Sequence, residues 1–126
     1  MIQKKILVVD DELNIIKSLS DLLTANGYEV ITAMDGKAGV ELATKTKPDL
    51  ILLDIMMPKL SGIELLKKMK ASEASAGIPI IIVSAKSDMD TLSDAMWNYA
   101  DKYITKPYDP KGILEAVRTS LKTSLS

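Results

Sequence analysis

The segment that decides the fold is Leu50-Ile51-Leu52-Leu53-Asp54, four apolar residues that end at one acid and precede Ile55-Met56-Met57-Pro58. A short, continuous apolar run is typical of a strand buried on both faces, as strands are in the parallel sheets of α/β domains. In open sheets of this kind, ligands bind in the crevice beyond the carboxyl ends of the strands. The position of Asp54 makes it a candidate for chemistry, although Asp is also common where a chain simply turns.

Composition narrows the possible functions. The 126 residues, 47% hydrophobic and 26% charged, predict one domain with one core. The chain has no Cys and no His, which excludes disulfides, zinc sites built on these side chains, Ser-His-Asp triads and an internal phosphohistidine. A formal net charge of -1 predicts no direct nucleic-acid binding. No apolar run is long enough for a membrane span and no signal peptide is recognisable, so we expect no membrane association and a cytoplasmic location.

Four further apolar runs predict strands, and apolar residues at helical spacing follow each of the five. The predicted strands are residues 5–9, 28–32, 50–53, 78–83 and 102–105. Helix starts are marked by acids, such as Asp88 for the fourth helix and Asp109-Pro110 for the fifth. Strict alternation predicts a doubly wound (βα)5 α/β fold, a five-stranded parallel sheet with helices on both faces. We adopt the strand order 2-1-3-4-5 of the flavodoxin-like version.

Charged and polar residues follow the strands at one edge of this predicted sheet. Strands one and three are neighbours, so Asp10 and Asp11 should meet Asp54. Carboxylates about 4 Å apart repel by about 1 kcal/mol per pair in water and about 4 kcal/mol at an effective dielectric constant of 20. Lys106, after strand five, and a hard divalent ion, for which Mg2+ fits best, are the two candidates to offset that repulsion. Ser84, after strand four, adds a hydroxyl donor.

This ordered set resembles the receiver domain of the two-component response-regulator family, and the resemblance covers essentially the whole chain. It implies that Asp54 is the phosphoacceptor. Ser84 would occupy the family's Thr/Ser position, and Lys106 would be its invariant lysine. It also implies a usually cis bond between Lys106 and Pro107. The implied Mg2+ ligands are Asp10, acting mainly through water, Asp11, Asp54 and the backbone carbonyl of Met56.

The function that this resemblance implies is signalling. A sensor histidine kinase or phosphotransfer protein would donate a phosphoryl group to Asp54, and Ser84 would couple it to Tyr103, the family's switch aromatic. The surface of helix four, strand five and helix five would then bind an unknown downstream protein. A receiver assists its own phosphotransfer and autodephosphorylation but is not an enzyme in the ordinary sense. It acts as a monomer or as a phosphorylation-dependent dimer.

The last third of the chain raises three further points, namely the bounds of the domain, the exposure of Trp97 and the position of Tyr99. We assign residues 1–122 to the receiver domain and residues 123–126 to a frayed tail. Trp97 is predicted to face solvent on the partner surface, either as a contact residue or as an isolated exposed aromatic. Tyr99 stands where the family often has Gly, so either Asn98 adopts the left-handed turn or helix four ends differently.

Two other classes of function are considered. A magnesium-dependent phosphohydrolase also uses an Asp nucleophile after an apolar strand, but such enzymes resemble Asp-x-Asp there, and Met56 occupies the second acidic position. A receiver-like interaction module that is not regulated by phosphate would keep the fold without the chemistry. The five matching site residues favour the phosphorylated receiver over both alternatives.

Overall fold

The computed structural model describes residues 3–55, 62–73, 75–85 and 100–124. The strands are β1 (Lys5–Val9), β2 (Glu29–Ala33), β3 (Leu50–Leu53), β4 (Ile80–Ala85) and β5 (Lys102–Lys106). The helices within these ranges are α1 (Leu13–Ala25), α2 (Gly36–Thr46), α3 (Gly62–Ala71) and α4 (Pro110–Ser124). The predicted helix four, which should begin at Asp88, lies outside the described residues, as do Trp97 and Tyr99. The helix labelled α4 is therefore the one that the sequence predicts as helix five.

All five strands form one parallel sheet of order β2-β1-β3-β4-β5, which confirms the predicted doubly wound topology. Val9 at the end of β1 pairs with Leu53 at the end of β3. Asp10 directly follows β1, and Asp54 directly follows β3. The Asp54 amide donates a hydrogen bond to the Val9 carbonyl at 2.9 Å. The register of these two central strands therefore delivers two acids to the same point.

The hydrophobic core has two halves, one on each face of the sheet. Side chains along a strand alternate between faces. In β3, Ile51 and Leu53 pack on the side of α2 and α3, whereas Leu50 and Leu52 pack on the side of α1 and α4. None of the four is more than 1% exposed. The unbroken apolar run of β3 therefore reflects burial on both faces, as predicted.

Capping residues set several helix ends. The Asp35 carboxylate accepts a hydrogen bond from the Ala38 amide at 2.8 Å at the start of α2. The Asp109 carboxylate accepts one from the Lys111 amide at 3.1 Å at the start of α4. After α1, Gly27 has a φ of +90°, a left-handed conformation that glycine adopts without steric cost. The start at Asp109-Pro110 is the one that the sequence predicts.

Element boundaries differ from the sequence predictions in a few places. β4 begins at Ile80 rather than at residue 78 and includes Ser84 instead of ending before it. α4 extends through Ser124, into the segment that we assigned to a frayed tail. Leu13 continues the helical spacing of the apolar residues in α1 but, as the first residue of that helix, is 65% exposed. None of the helices in the described part of the chain combines the length and apolar content needed to cross a bilayer.

Two aspartates hold neighbouring strands in register at the amino-terminal edge of the sheet. Asp49 accepts a hydrogen bond from the Lys5 amide at 2.7 Å and donates its own amide to the Lys5 carbonyl at 2.8 Å. Asp101 forms the same pair of contacts with Ile80, both at 2.8 Å. Each carboxylate satisfies an amide at the start of a strand, where no further strand residue supplies a partner. The pairing of β1 with β3 and of β4 with β5 thus starts at a defined residue.

Replacing Asp49 by alanine should lower the free energy of unfolding by about 1–3 kcal/mol, because the Lys5 amide loses a charged acceptor. Asp49→Asn keeps an acceptor oxygen and should lose less. Urea unfolding followed by circular dichroism measures both, with Asp21→Ala at an exposed position of α1 as the control. Equal stability of Asp49→Ala and the wild type would show that this contact does not stabilise the sheet.

Candidate functional site

The carboxyl ends of β1, β3, β4 and β5 surround the carboxylate of Asp54, which is only 6% exposed. The Ser84 hydroxyl donates a hydrogen bond to Asp54 Oδ1 at 2.7 Å. The Lys106 ammonium donates one to Asp54 Oδ2 at 3.1 Å. A buried hydroxyl and an ammonium group therefore hold the two oxygens of one carboxylate.

Lys106 lies among three carboxylates. Its Nζ is 2.8 Å from Asp10 Oδ2, 3.1 Å from Asp54 Oδ2 and 3.5 Å from Glu12 Oε1. Burial alone would lower the pKa of Lys106, but the hydrogen bond to Asp10 and the charges of Asp54 and Asp10 outweigh burial and raise it well above its ordinary value. Lys106 is therefore protonated at neutral pH and acts as a fixed positive charge. The peptide bond from Lys106 to Pro107 is cis, as the resemblance implied.

Asp10 is the most deeply buried acid of this site, with 2% of its surface exposed. Its Oδ1 accepts a hydrogen bond from the Glu12 amide at 2.9 Å and its Oδ2 accepts one from Lys106. Burial raises the pKa of Asp10, and the hydrogen bonds from Lys106 and Glu12 offset that effect only in part. Burial therefore makes the ionised form of Asp10 less favourable in the folded protein than in the unfolded chain.

The donor set of the site fits a hard divalent cation. Asp10, Asp11, Glu12 and Asp54 each offer a carboxylate oxygen, and these oxygens all lie within 4.8 Å of one another. Asp10 and Asp54 are buried, while Asp11 and Glu12 are more exposed, so the cluster is open towards solvent on one side. Magnesium prefers oxygen ligands and usually keeps several waters. The arrangement therefore suits Mg2+ better than a metal that needs nitrogen or sulfur ligands.

The acidic cluster contains one residue more than the sequence predicts. The structure brings together Asp10, Asp11 and Asp54, as expected, and adds Glu12 to the cluster. The run of three consecutive acids after β1 was the signal that could have identified it. The Met56 carbonyl, predicted as a further metal ligand, lies outside the described residues.

Tyr103, the predicted switch residue, lies in β5 opposite Ile82 of β4. Its side chain is half-buried against the core on the α2 and α3 side, and burial raises the pKa of its hydroxyl. Ser84 follows Ile82 by two residues and pairs with Thr105. Because alternate residues of a strand share a face, Ser84 and Tyr103 project from the same face of adjacent strands.

The family model for the response regulator receiver domain matches residues 6–118. The chain belongs to this family. The receiver domain is 41% identical over 121 residues to the alkaline phosphatase synthesis transcriptional regulatory protein PhoP of Bacillus subtilis, covering 96% of the chain and 50% of that protein. It is 38% identical over 122 residues to the phosphate regulon transcriptional regulatory protein PhoB of Pseudomonas aeruginosa, covering 97% of the chain and 53% of that protein.

Solved structures agree with this assignment. A response regulator receiver domain protein from Clostridium thermocellum is 31% identical and superposes with a TM-score of 0.86 over 95% of each chain. The receiver domain spans about half the length of the curated relatives described above. Receiver domains are parts of signalling regulators and are not classical enzymes.

The burial of Asp10 predicts a pH-dependent cost in stability. A raised pKa means that the folded protein holds the proton more tightly than the unfolded chain, so the ionised carboxylate lowers stability once the pH exceeds the ordinary value of 3.8. Asp10→Asn, which keeps an acceptor for the Glu12 amide, should therefore raise the urea midpoint at neutral pH. This gain should shrink towards zero as the pH falls below about 4.

The control for this experiment is Asp21→Asn, which removes an exposed acid of α1 and should leave the midpoint nearly unchanged. If Asp10→Asn is less stable than the wild type at neutral pH, the ion pair with Lys106 contributes more than the burial of Asp10 costs.

Proposed function

We propose that this receiver domain accepts a phosphoryl group on Asp54 from the phosphohistidine of a sensor histidine kinase or phosphotransfer protein. The environment of Asp54 carries the proposal, because Ser84 and Lys106 contact its two oxygens and Lys106 also contacts the carboxylate of Asp10. The chain has no histidine, so the phosphohistidine lies outside these 126 residues. It also lacks the G-x-x-x-x-G-K-[ST] loop of nucleotide-binding proteins, which argues against ATP as the direct donor.

In the proposed reaction, a carboxylate oxygen of Asp54 attacks phosphorus. An oxygen–phosphorus bond forms while the nitrogen–phosphorus bond to the donor imidazole breaks, and the imidazole leaves with the bonding electron pair. Lys106 keeps its proton and forms an ion pair with a phosphoryl oxygen. Since Lys106 already lies 3.1 Å from Asp54, this positive charge needs little rearrangement to meet the negative charge of the transferring group.

Asp10, Asp11 and Asp54 are the residues that we propose hold Mg2+, with the Met56 carbonyl as the further ligand implied by the family. The bound ion would supply a second positive charge to offset that of the phosphoryl oxygens. The same residues are proposed to assist hydrolysis of the aspartyl phosphate, which returns the domain to its resting state. Asp10 would keep its contact with Lys106 throughout and so hold the ammonium group at the site.

The proposed switch begins with the Ser84 hydroxyl. A phosphoryl group brings three acceptor oxygens and about -1.5 to -2 charges. Ser84 would exchange its hydrogen bond to Asp54 Oδ1 for one to a phosphoryl oxygen, and Tyr103 on the same sheet face would turn towards the space that this movement vacates. Complete conversion from a mostly inactive to a mostly active population requires about 5.5 kcal/mol of differential stabilisation.

The proposed output is binding of a downstream protein to the surface of β5, α4 and the helix predicted from Asp88. PhoP and PhoB are named transcriptional regulators and are about twice as long as this chain, so control of transcription by an output domain or a separate partner is one form that this output takes. We assign residues 1–122 to the receiver, place the protein in the cytoplasm, and propose that it is monomeric or dimerises on phosphorylation.

Incubation with acetyl phosphate and Mg2+ should add one phosphoryl group to the wild type and none to Asp54→Asn, because the amide is not a nucleophile for phosphorus. Intact mass spectrometry measures the adduct, and EDTA should prevent its formation. Asp21→Asn should be modified like the wild type. An adduct on Asp54→Asn would assign the phosphoacceptor to another residue, and no adduct on folded wild type would favour a receiver-like module not regulated by phosphate.

Ser84→Ala should still be phosphorylated, since Asp54 and Lys106 are intact, but should lose most of the phosphorylation-induced change in the amide resonances of Tyr103 and α4. Heteronuclear NMR of the phosphorylated domain measures this change. Ser84→Thr keeps the hydroxyl and should behave like the wild type. Amide shifts in Ser84→Ala as large as in the wild type would show that Ser84 does not transmit the signal.

A further inference from the structure

Glu12 differs from the other two acids that contact Lys106. Its side chain is 60% exposed, whereas those of Asp10 and Asp54 are 3% and 7% exposed. Its contact is also the longest of the three, with Oε1 at 3.5 Å from the Lys106 Nζ. Exposed ion pairs are weak because water solvates both charges. Among the described carboxylates around Lys106, that of Glu12 is therefore the one that can leave the ammonium group and enter water at little cost.

The capping of α1 does not account for the position of the Glu12 side chain. Glu12 is the N-cap residue of α1, yet its carboxylate accepts no hydrogen bond from the fully described first turn of that helix. Its backbone is fixed on both sides, because the amide donates to Asp10 Oδ1 at 2.9 Å and the carbonyl accepts hydrogen bonds from the Ile15 and Ile16 amides at 3.1 Å. The backbone thus keeps the carboxylate within reach of Lys106, while the side-chain torsions of Glu12 can still change.

A phosphoryl group on Asp54 would change the balance of charge around Lys106. Three carboxylates already lie within 3.5 Å of the ammonium group, and phosphorylation adds about -1.5 to -2 charges beside them. The added charge attracts Lys106 and repels Glu12, which offers a carboxylate oxygen within 4.8 Å of one on Asp54. Asp10 is buried and would be left as an uncompensated charge if it lost the ammonium group. Glu12 is therefore the acid that gives way.

We propose that Glu12 is a positioning residue for Lys106. While Asp54 is unmodified, the Glu12 carboxylate holds the ammonium group at the solvent side of the site, and it moves into water when a phosphoryl group takes its place. This role rests on the proposed phosphorylation of Asp54. Its consequence concerns the donor, because a small anionic phosphodonor that approaches from solvent is repelled by Glu12 and must displace it. Glu12 therefore slows modification by such donors.

The test compares the rates at which acetyl phosphate modifies the wild type and Glu12→Gln, measured by intact mass at an Mg2+ concentration that saturates each variant. Gln has nearly the same shape as Glu but no charge. The second-order rate constant should rise about twofold to fivefold in Glu12→Gln, as expected for loss of an exposed ion pair. The increase should be smaller with phosphoramidate, which carries less negative charge because its nitrogen is protonated. It should also vanish at about 1 M salt, where charges are screened beyond about 3 Å.

Glu41→Gln is the matched control, because it removes an exposed glutamate charge from α2 and should leave the rate unchanged. A purely structural role at the start of α1 would not produce an increase that depends on salt and on donor charge. A rate constant of Glu12→Gln equal to or below that of the wild type would overturn the role of Glu12, as would an increase that persists at high salt. No adduct on the wild type or on either variant would instead overturn the proposed phosphorylation, and the role of Glu12 with it.

A second measurement tests the contact itself, in the unphosphorylated protein without Mg2+. The carbon resonance of the Glu12 carboxylate should differ from that of the exposed Glu41 in the wild type and move towards it in Lys106→Gln, where the ammonium group is absent. Amide resonances verify that this variant is folded, and if it is not, the kinetic comparison decides alone. A Glu12 resonance that stays in place in folded Lys106→Gln would show that Glu12 does not hold Lys106 in solution and would overturn the proposal.

Discussion

The ammonium group of Lys106 is the positive charge that allows two nearly buried carboxylates, those of Asp10 and Asp54, to lie together at the end of the sheet. Removing carboxylates from water is unfavourable, and their mutual repulsion adds to that cost. A single cation within 3.1 Å of both offsets much of the repulsion, at the price of burying a third charge. Removal of the ammonium group from this cluster would leave two buried carboxylates uncompensated. The rest of the fold must therefore supply the stability that this group of buried charges costs.

The parallel sheet provides this stabilisation through register. Asp10 and Asp54 meet because Val9 and Leu53 are paired, and a slip by one residue would exchange the two faces of a strand. At the other end of the strands, Asp49 and Asp101 fix where pairing begins. The geometry around the phosphoacceptor candidate thus depends on contacts made at the opposite edge of the sheet. A strand buried on both faces is rigid enough to carry that constraint over its length.

Membership of the receiver family gives the geometry its functional meaning. In the resting arrangement, both oxygens of Asp54 already have donors, one neutral and one charged. A phosphoryl group on Asp54 would offer those donors new acceptors, so the donors themselves become the moving parts of the proposed switch. Ser84 is the more informative of the two, because it lies in β4 beside β5 and shares a sheet face with Tyr103. In the proposed switch, the charge change at Asp54 would thereby reach β5.

Local sequence patterns determined the buried strand before Asp54, the helix start at Asp109 and the alternation of strands and helices, because capping and apolar periodicity depend on residues a few positions apart. The strand order came from analogy with a known fold. Only the tertiary structure decided that Glu12 joins the acidic cluster and that Asp49 holds two strands together. Such contacts join segments up to 96 residues apart, as in the bond from Lys106 to Asp10. They depend on register and packing across the sheet, which no short stretch of sequence contains.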